Sequence, residues 1–162
     1  EYVGIEKIAK GLSFDLSSIR AVPYYGCMLT RMPKTDVFDD CEDPVSMDKL
    51  LWATGMEVLR WPFKMECCGA SETITSKHVT ASLSGKVMDM ARAVGADVII
   101  TTCPLCQMNL DLLPHLNRKD NVPVLFLTEV FELAIKGKIS GKSAHIIPVE
   151  ELIKKVVQKS KL

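Results

Sequence analysis

Between Gly95 and Cys103 the chain carries Val98-Ile99-Ile100 with no polar residue interleaved. A strand half-exposed to water alternates apolar and polar residues, so an unbroken run of this kind belongs to a sheet covered on both faces. Ahead of it, Val79, Leu83, Val87, Met90 and Val94 recur at spacings of three and four over 76–94, the pattern of an amphipathic helix, with Gly95 as its stop. A further helix follows Cys103 and runs to about Leu113. Parallel neighbours need helical crossovers, so the fold class expected is α/β, a Rossmann-like doubly wound, mostly parallel sheet with helices on both faces.

The remaining segments continue the alternation. Residues 2–10 suit a short helix with Ile5 and Ile8 on one side, a lead-in ending near Gly11. Ile19 to Tyr25 reads as a strand in which Pro23, lacking an N–H, suggests an edge, an end or a bulge. Met28 to Val45, with Pro33, Pro44 and Asp39-Asp40, reads as a long loop. Ser46 is placed to cap a helix from Met47 carrying Leu50 and Leu51 and closed by Gly55. Strands are expected over Glu57–Trp61 and Val122–Leu127, a Thr128-capped helix over Glu129–Lys136, a last short strand at His145–Ile147, and a C-terminal helix after Pro148 with Leu152, Ile153, Val156 and Val157 inward. Residues 1–18 are taken as a lead-in and 19–162 as one domain.

A chain of 162 residues buries a core large enough to stand without disulfides. Lys+Arg and Asp+Glu both total 20, so no strong field favours nucleic acid or anionic lipid. No apolar stretch reaches the roughly 18 residues of a membrane span, and EYVGIEKIAK does not read as a secretory signal. The expectation is a cytoplasmic protein. Thiols stay reduced there, so six cysteines point to metal or redox chemistry.

Their positions sharpen the point. Cys27 follows the first strand, Cys67-Cys68-Gly69 follows the strand at 57–61, and Cys103-Pro104-Leu105-Cys106 follows the strand at 98–101. In open parallel sheets ligands bind outside the carboxyl ends of the strands, so distant cysteines share one edge. Taken alone, Cys103 and Cys106 suit a thioredoxin-like dithiol activated by a helix N-terminus. A zinc site is closed by four ligands and leaves a fifth thiolate over, whereas a polynuclear iron–sulfur centre accommodates all five. Zinc bound in a scaffold module that docks redox subunits stays open as an alternative.

GCMLTRMPK around Cys27, ECCGAS around Cys67 and Cys68, CPLCQMNLD around Cys103 and Cys106, and the flanking DPVSMDKLLWATG resemble the C-terminal CCG, or cysteine-rich, domain of HdrB, the B subunit of heterodisulfide reductase. The resemblance runs from about Tyr24 to Thr128. It implies a noncubane [4Fe-4S] cluster held by Cys27, Cys67, Cys68, Cys103 and Cys106, with one or more of them bridging irons. It further implies an oxidoreductase that cleaves or forms a disulfide in one-electron steps inside a multisubunit complex. The partners implied are a second CCG domain or N-terminal half of the same polypeptide, an HdrC-like iron–sulfur subunit, an HdrA-like flavoprotein and a disulfide or thiol substrate.

Other residues carry weaker signals. Cys41, within DDCEDP, reads as an accidental free thiol, because the surrounding carboxylates disfavour a thiolate. His78, His115 and His145 read as structural. Lys64 and Arg31 lie near ligands in sequence, where a cation can raise a cluster's potential or bind an anionic group, although a solvated surface charge is the commoner role. Trp52 and Trp61 read as packing residues, and Met88, Met90 and Met108 as core or interface.

Overall fold

The computed structural model describes residues 4–31, 39–112 and 121–159. After the short helix α1 (Ile5–Lys10), β1 (Arg20–Tyr24) leads directly into α2 (Gly26–Thr30). Next come α3 (Ser46–Ala53), β2 (Glu57–Val58), α4 (Lys77–Ala93), β3 (Val98–Thr101), α5 (Pro104–Leu112), β4 (Val124–Phe126), α6 (Leu127–Lys136) and α7 (Glu150–Lys159). The strands form one all-parallel sheet in the order β2-β1-β3-β4. This is the doubly wound α/β architecture that the strand–helix alternation calls for.

Two apolar cores sandwich the sheet. Ile19, Ala21, Val98, Ile100 and Leu125 point to one side, where they meet Leu51 of α3, Leu133 of α6 and Leu152 and Val156 of α7. Val22, Tyr24, Ile99 and Val124 point to the other, against Val87, Met88 and Ala91 of α4 and Leu110 of α5. The period-2 pleat of the strands makes this division. Leu16 is fully buried and Leu12 and Phe14 pack against the first core, so the segment before β1 contributes to it.

Several expectations are corrected. Pro23 sits in a central strand and not at an edge, although as the last residue but one of β1 it does lie next to the strand's end. Its neighbours Ile19 and Ala21 send their carbonyls to Glu57 and Leu59 on the β2 side, and Pro23, two residues on, faces that same side after β2 has ended. Its missing N–H therefore costs no ladder bond. β2 stops at Val58, short of Trp61, because the Trp61 indole turns in to donate to the Pro23 carbonyl at 2.8 Å. No strand forms at 145–147. A single 3₁₀ turn, Lys142–Ala144, precedes it, and the Asp111 carboxylate takes the N–H groups of Ile146 and Ile147 at 2.9 and 3.0 Å.

The helix starts differ as well. The expected loop at 28–45 begins inside α2, and α6 starts at Leu127, with Glu129 reaching back to the Phe126 N–H at 2.7 Å. Ser46 is the first residue of α3 and not its cap. The Asp39 carboxylate accepts from the N–H groups of Val45 and Ser46, and the Tyr25 hydroxyl accepts from Met47 and Asp48. Trp52 lies 55 % exposed on the outer side of α3, one position off the buried Leu51. On α4 the fully inward residues are Thr80, Ser84, Val87, Met88 and Ala91, so the helix is rotated from the Val79–Leu83 stripe, with Thr80 turned toward the Cys68-Gly69 turn. Residues 32–38, Leu113 and His115 lie outside the described residues.

Candidate redox centre

The winding of the chain locates the site. β1 crosses to β2 through α3 on one face, while β2 returns to β3 through α4, and β3 crosses to β4 through α5, on the other. The sense of winding reverses between β1 and β3, and a crevice opens there at the carboxyl ends of the two strands. Cys27 lies in the first turn of α2, immediately beyond β1, and Cys103 and Cys106 lie at the start of α5, beyond β3. Cys67 and Cys68 come from the β2–α4 connection, which folds back over the same crevice.

The sulfur atoms meet in pairs. Cys68 Sγ lies 3.4 Å from Cys106 Sγ, beyond the roughly 2.05 Å of a disulfide and within reach of a thiol hydrogen bond. Burial raises the Cys27 thiol and the nearby sulfurs of Cys67 and Cys68 add to the rise, while Cys103 lies near Cys106. Among the described residues, no three histidine, cysteine or acidic side chains come together in a group that could hold a metal ion; the thiols approach one another in pairs instead. Cys68, Cys103 and Cys106 are buried, Cys27 and Cys67 half-buried, and all are free thiols.

Two glycines permit this approach. Gly26 has φ +65°, and a Cβ there would stand 3.1 Å from Cys106 Sγ, so only a bare backbone lets β1 end against the sulfur. Gly69 has φ +76°, and its added Cβ would lie 2.9 Å from Thr80 Cα, which holds the Cys67-Cys68 turn flat against α4. Thr80 Oγ1 donates to the Gly69 carbonyl at 3.0 Å, and the Gly69 N–H donates to Cys67 Sγ at 3.3 Å.

Beneath the sulfurs lies an aromatic floor. The Tyr24 ring is fully buried, 6.1 Å from Trp61 centroid to centroid, and its hydroxyl donates to the Glu66 carbonyl at 2.5 Å. Burial pushes its phenol well above the ordinary value, and the neighbouring sulfurs of Cys68, Cys106, Cys67 and Cys27 push it further. Of the closely paired thiols, Cys68 is held below its ordinary value by its hydrogen bond with Cys106, against the effect of burial, with the Ala70 N–H and Asn109 assisting. Cys106 is raised, first by the same contact with Cys68 and then by burial.

Asn109 and Tyr24 carry no cysteine-like signature, and a reading of motifs alone passes over both. Asn109 has one usable signal, a polar residue three positions after Cys106 and thus on the same helical face. Lys64 is neither a solvated charge nor a cluster-facing cation. It pairs with Asp48 at 3.1 Å and Asp43 at 3.4 Å above the Tyr25 ring, on the α3 side. Arg31, Cys41 and His78 are exposed. His145 is buried at its side chain and bonded to Glu129 at 2.9 Å, a structural role.

The profile of the CCG cysteine-rich domain matches residues 21–111. The chain is 26 % identical over 155 residues to the 8-methylmenaquinol:fumarate reductase membrane anchor subunit of Wolinella succinogenes, covering 91 % of this chain and 55 % of that one. It is 29 % identical over 140 residues to the B subunit of the ferredoxin/F(420)H(2)-dependent CoB-CoM heterodisulfide reductase of Methanosarcina acetivorans, covering 82 % and 46 %. It is 26 % identical over 170 residues to a protein of Archaeoglobus profundus described as similar to the heterodisulfide reductase B subunit, covering 96 % and 56 %. The chain thus spans about half the length of these relatives. Among the described residues no helix is long and apolar enough to cross a membrane.

Proposed function

The chain belongs to the CCG cysteine-rich domain family, and from that membership we propose that Cys27, Cys67, Cys68, Cys103 and Cys106 together hold a noncubane [4Fe-4S] cluster in an oxidoreductase acting on a disulfide or its thiols. The observation that carries the reading is the gathering of five free thiols from three chain segments into one crevice. The donor set fits such a group. Soft thiolates hold iron–sulfur clusters, and five of them exceed what one tetrahedral ion accepts.

A cluster of this kind supplies one-electron steps at irons that sulfur can approach. The chain's own residues do the rest. Tyr24, Trp61 and Leu110 keep the inner side apolar, which strengthens each charge-assisted contact to sulfur. The Gly69 and Ala70 N–H groups aim at Cys67 and Cys68 and stabilise negative charge on them. Cys27 and Cys67 are the more open ligands, so a substrate sulfur enters from their side.

The likeness to heterodisulfide reductase components extends the proposal to the assembly. A second CCG domain completes the unit, either as the other half of the same polypeptide or as a separate chain. Electrons arrive through an HdrC-like iron–sulfur subunit and an HdrA-like flavoprotein, in the cytoplasm.

Anaerobic reconstitution with iron and sulfide tests the reading. Several irons and a similar number of sulfides per chain are expected, with visible charge-transfer absorption, and Cys68→Ser should lose nearly all of both. Uptake of one zinc and no iron would overturn it in favour of a zinc scaffold.

A further inference from the structure

Asn109 is fully buried on α5, three residues beyond Cys106 and on the same side of the helix. A buried side-chain amide is costly unless all its hydrogen-bonding groups are used. Its Nδ2 lies 3.1 Å from Thr73 Oγ1, 3.5 Å from the Cys68 carbonyl and 3.9 Å from Cys68 Sγ, while Oδ1 lies 3.2 Å from Thr73 Oγ1, whose single hydrogen also reaches the Ala70 carbonyl at 3.0 Å. The Cys68 carbonyl can only accept, so it requires the amide to present nitrogen on this side and settles the orientation. One N–H serves Thr73, and the other is shared between the carbonyl and the sulfur of Cys68.

We propose that Asn109 is a positioning residue that sets the reduction potential of the cluster by donating to Cys68 Sγ. This rests on cluster binding by the five cysteines. Cys68 Sγ lies 3.4 Å from Cys106 Sγ, with the Asn109 amide at 3.9 Å and the Ala70 N–H nearby. In the loaded protein Cys106 is itself a ligand and brings no proton, so Ala70 and Asn109 remain. Hydrogen bonds to a ligating thiolate withdraw electron density and favour the more negative, reduced cluster. Reduction here adds one electron from an external donor and moves no proton at Asn109. Thr73 holds the amide from the 3₁₀ turn that follows Gly69, so α5 and the Cys67-Cys68 turn are tied through the same residue.

The experiment is a dithionite-driven redox titration of anaerobically loaded wild type, Asn109→Leu, Asn109→Asp and Thr73→Val, followed by visible absorption and by resonance Raman of the Fe–S(Cys) stretches. Asn109→Leu removes the donor at similar volume. It should lower the reduced-to-oxidised ratio at fixed potential by roughly tenfold, which is about 59 mV for one electron, and raise one Fe–S(Cys) frequency. Asn109→Asp, with no donor and an added charge, should shift in the same direction at least as far. Thr73→Val should shift by less than half as much, because the amide keeps its sulfur-facing N–H. Should Asn109→Leu fail to load, Asn109→Asp decides alone. A reduced-to-oxidised ratio within twofold of wild type at the same potential in the loaded variants, with Thr73→Val and Asn109→Leu equally destabilised, would reduce Asn109 to a structural clip and overturn the proposal. Wild type that loads no iron would instead sink the cluster assignment.

Discussion

The two faces of the sheet are built from the same strands by different means. On the α3, α6 and α7 side the core consists of aliphatic residues and methionines with Tyr25, and among the described residues no cysteine enters it. On the α4 and α5 side the core includes Cys68, Cys103 and Cys106, and the buried polar residues Thr80, Ser84 and Asn109 lie on its two helices. The adjacent tyrosines show how sharp the division is. Tyr25 sends its ring into the first core and hydrogen-bonds the start of α3, whereas Tyr24 lies among the thiols. One face supplies stability by packing, and the other spends part of its volume on sulfur, so substitutions on the two should separate stability from cluster binding.

The largest effect breaks the comparison if it fails. Cys68→Ser should abolish iron and sulfide uptake while the metal-free protein keeps most of its stability. Leu133→Ala, fully buried on the opposite face, should cost about 2–5 kcal/mol yet leave iron per folded chain unchanged. Urea unfolding of the metal-free proteins together with iron analysis of the folded fraction checks both. Loss of iron from folded Leu133→Ala would show that the faces are one energetic unit.

The tyrosine pair sharpens the same point at smaller scale. Tyr25→Phe removes a hydroxyl that donates to Asp48 at 2.6 Å and accepts from Met47 and Asp48 N–H groups at 2.7 and 3.2 Å. It strands buried donors and an acceptor, so a loss of about 2–3 kcal/mol is expected with iron content intact. Tyr24→Phe removes one bond to the Glu66 carbonyl and should cost about 1 kcal/mol. Because Glu66 adjoins Cys67, it should also slow cluster assembly, which a time course of absorbance during reconstitution would show.

Much of the fold was legible because it is written in local patterns. The run Val98-Ile99-Ile100 had to be a buried parallel strand, and Gly95 and Gly137 did end helices. The cysteines were legible as a group because each segment follows a strand. Illegible were the features set by contacts distant in sequence. Asp39 takes the place expected of Ser46 at the start of α3. Pro23 is tolerated only because β2 is short. Asp111 supplies acceptors to a stretch that periodicity offered as a strand. The inward turn of Thr80 depends on how closely Gly69 packs, which no helical pattern records.

The smallest effect concerns the seam joining the two faces. His145 bonds Glu129 of α6 at 2.9 Å, with Asp111 of α5 on its other nitrogen at 3.9 Å, and Glu129 also accepts from Gln107 of α5 at 3.1 Å. The hydrogen bond to Glu129 raises the His145 imidazole above its ordinary value of 6.5 against the opposing effect of burial, and the charges of Glu129, Asp111 and Glu150 add to the rise. Burial pushes the Glu129 carboxyl up, but the bonds from His145, the Phe126 N–H and Gln107 outweigh it and leave it below 4.5. The histidine's contribution is therefore complete below 6.5 and lost as pH rises through its raised folded value; that of the glutamate is complete above 4.5 and lost as pH falls through its lowered one. The pair stabilises most between about pH 4.5 and 6.5, by about 1 kcal/mol or less. Urea unfolding of wild type and His145→Gln at pH 5.5 and 7.5 should show wild type losing part of its advantage at the higher pH. An advantage that grows toward pH 7.5 would mean that His145 is held neutral, and the two faces would then be joined at this seam by neutral hydrogen bonds and not by charge.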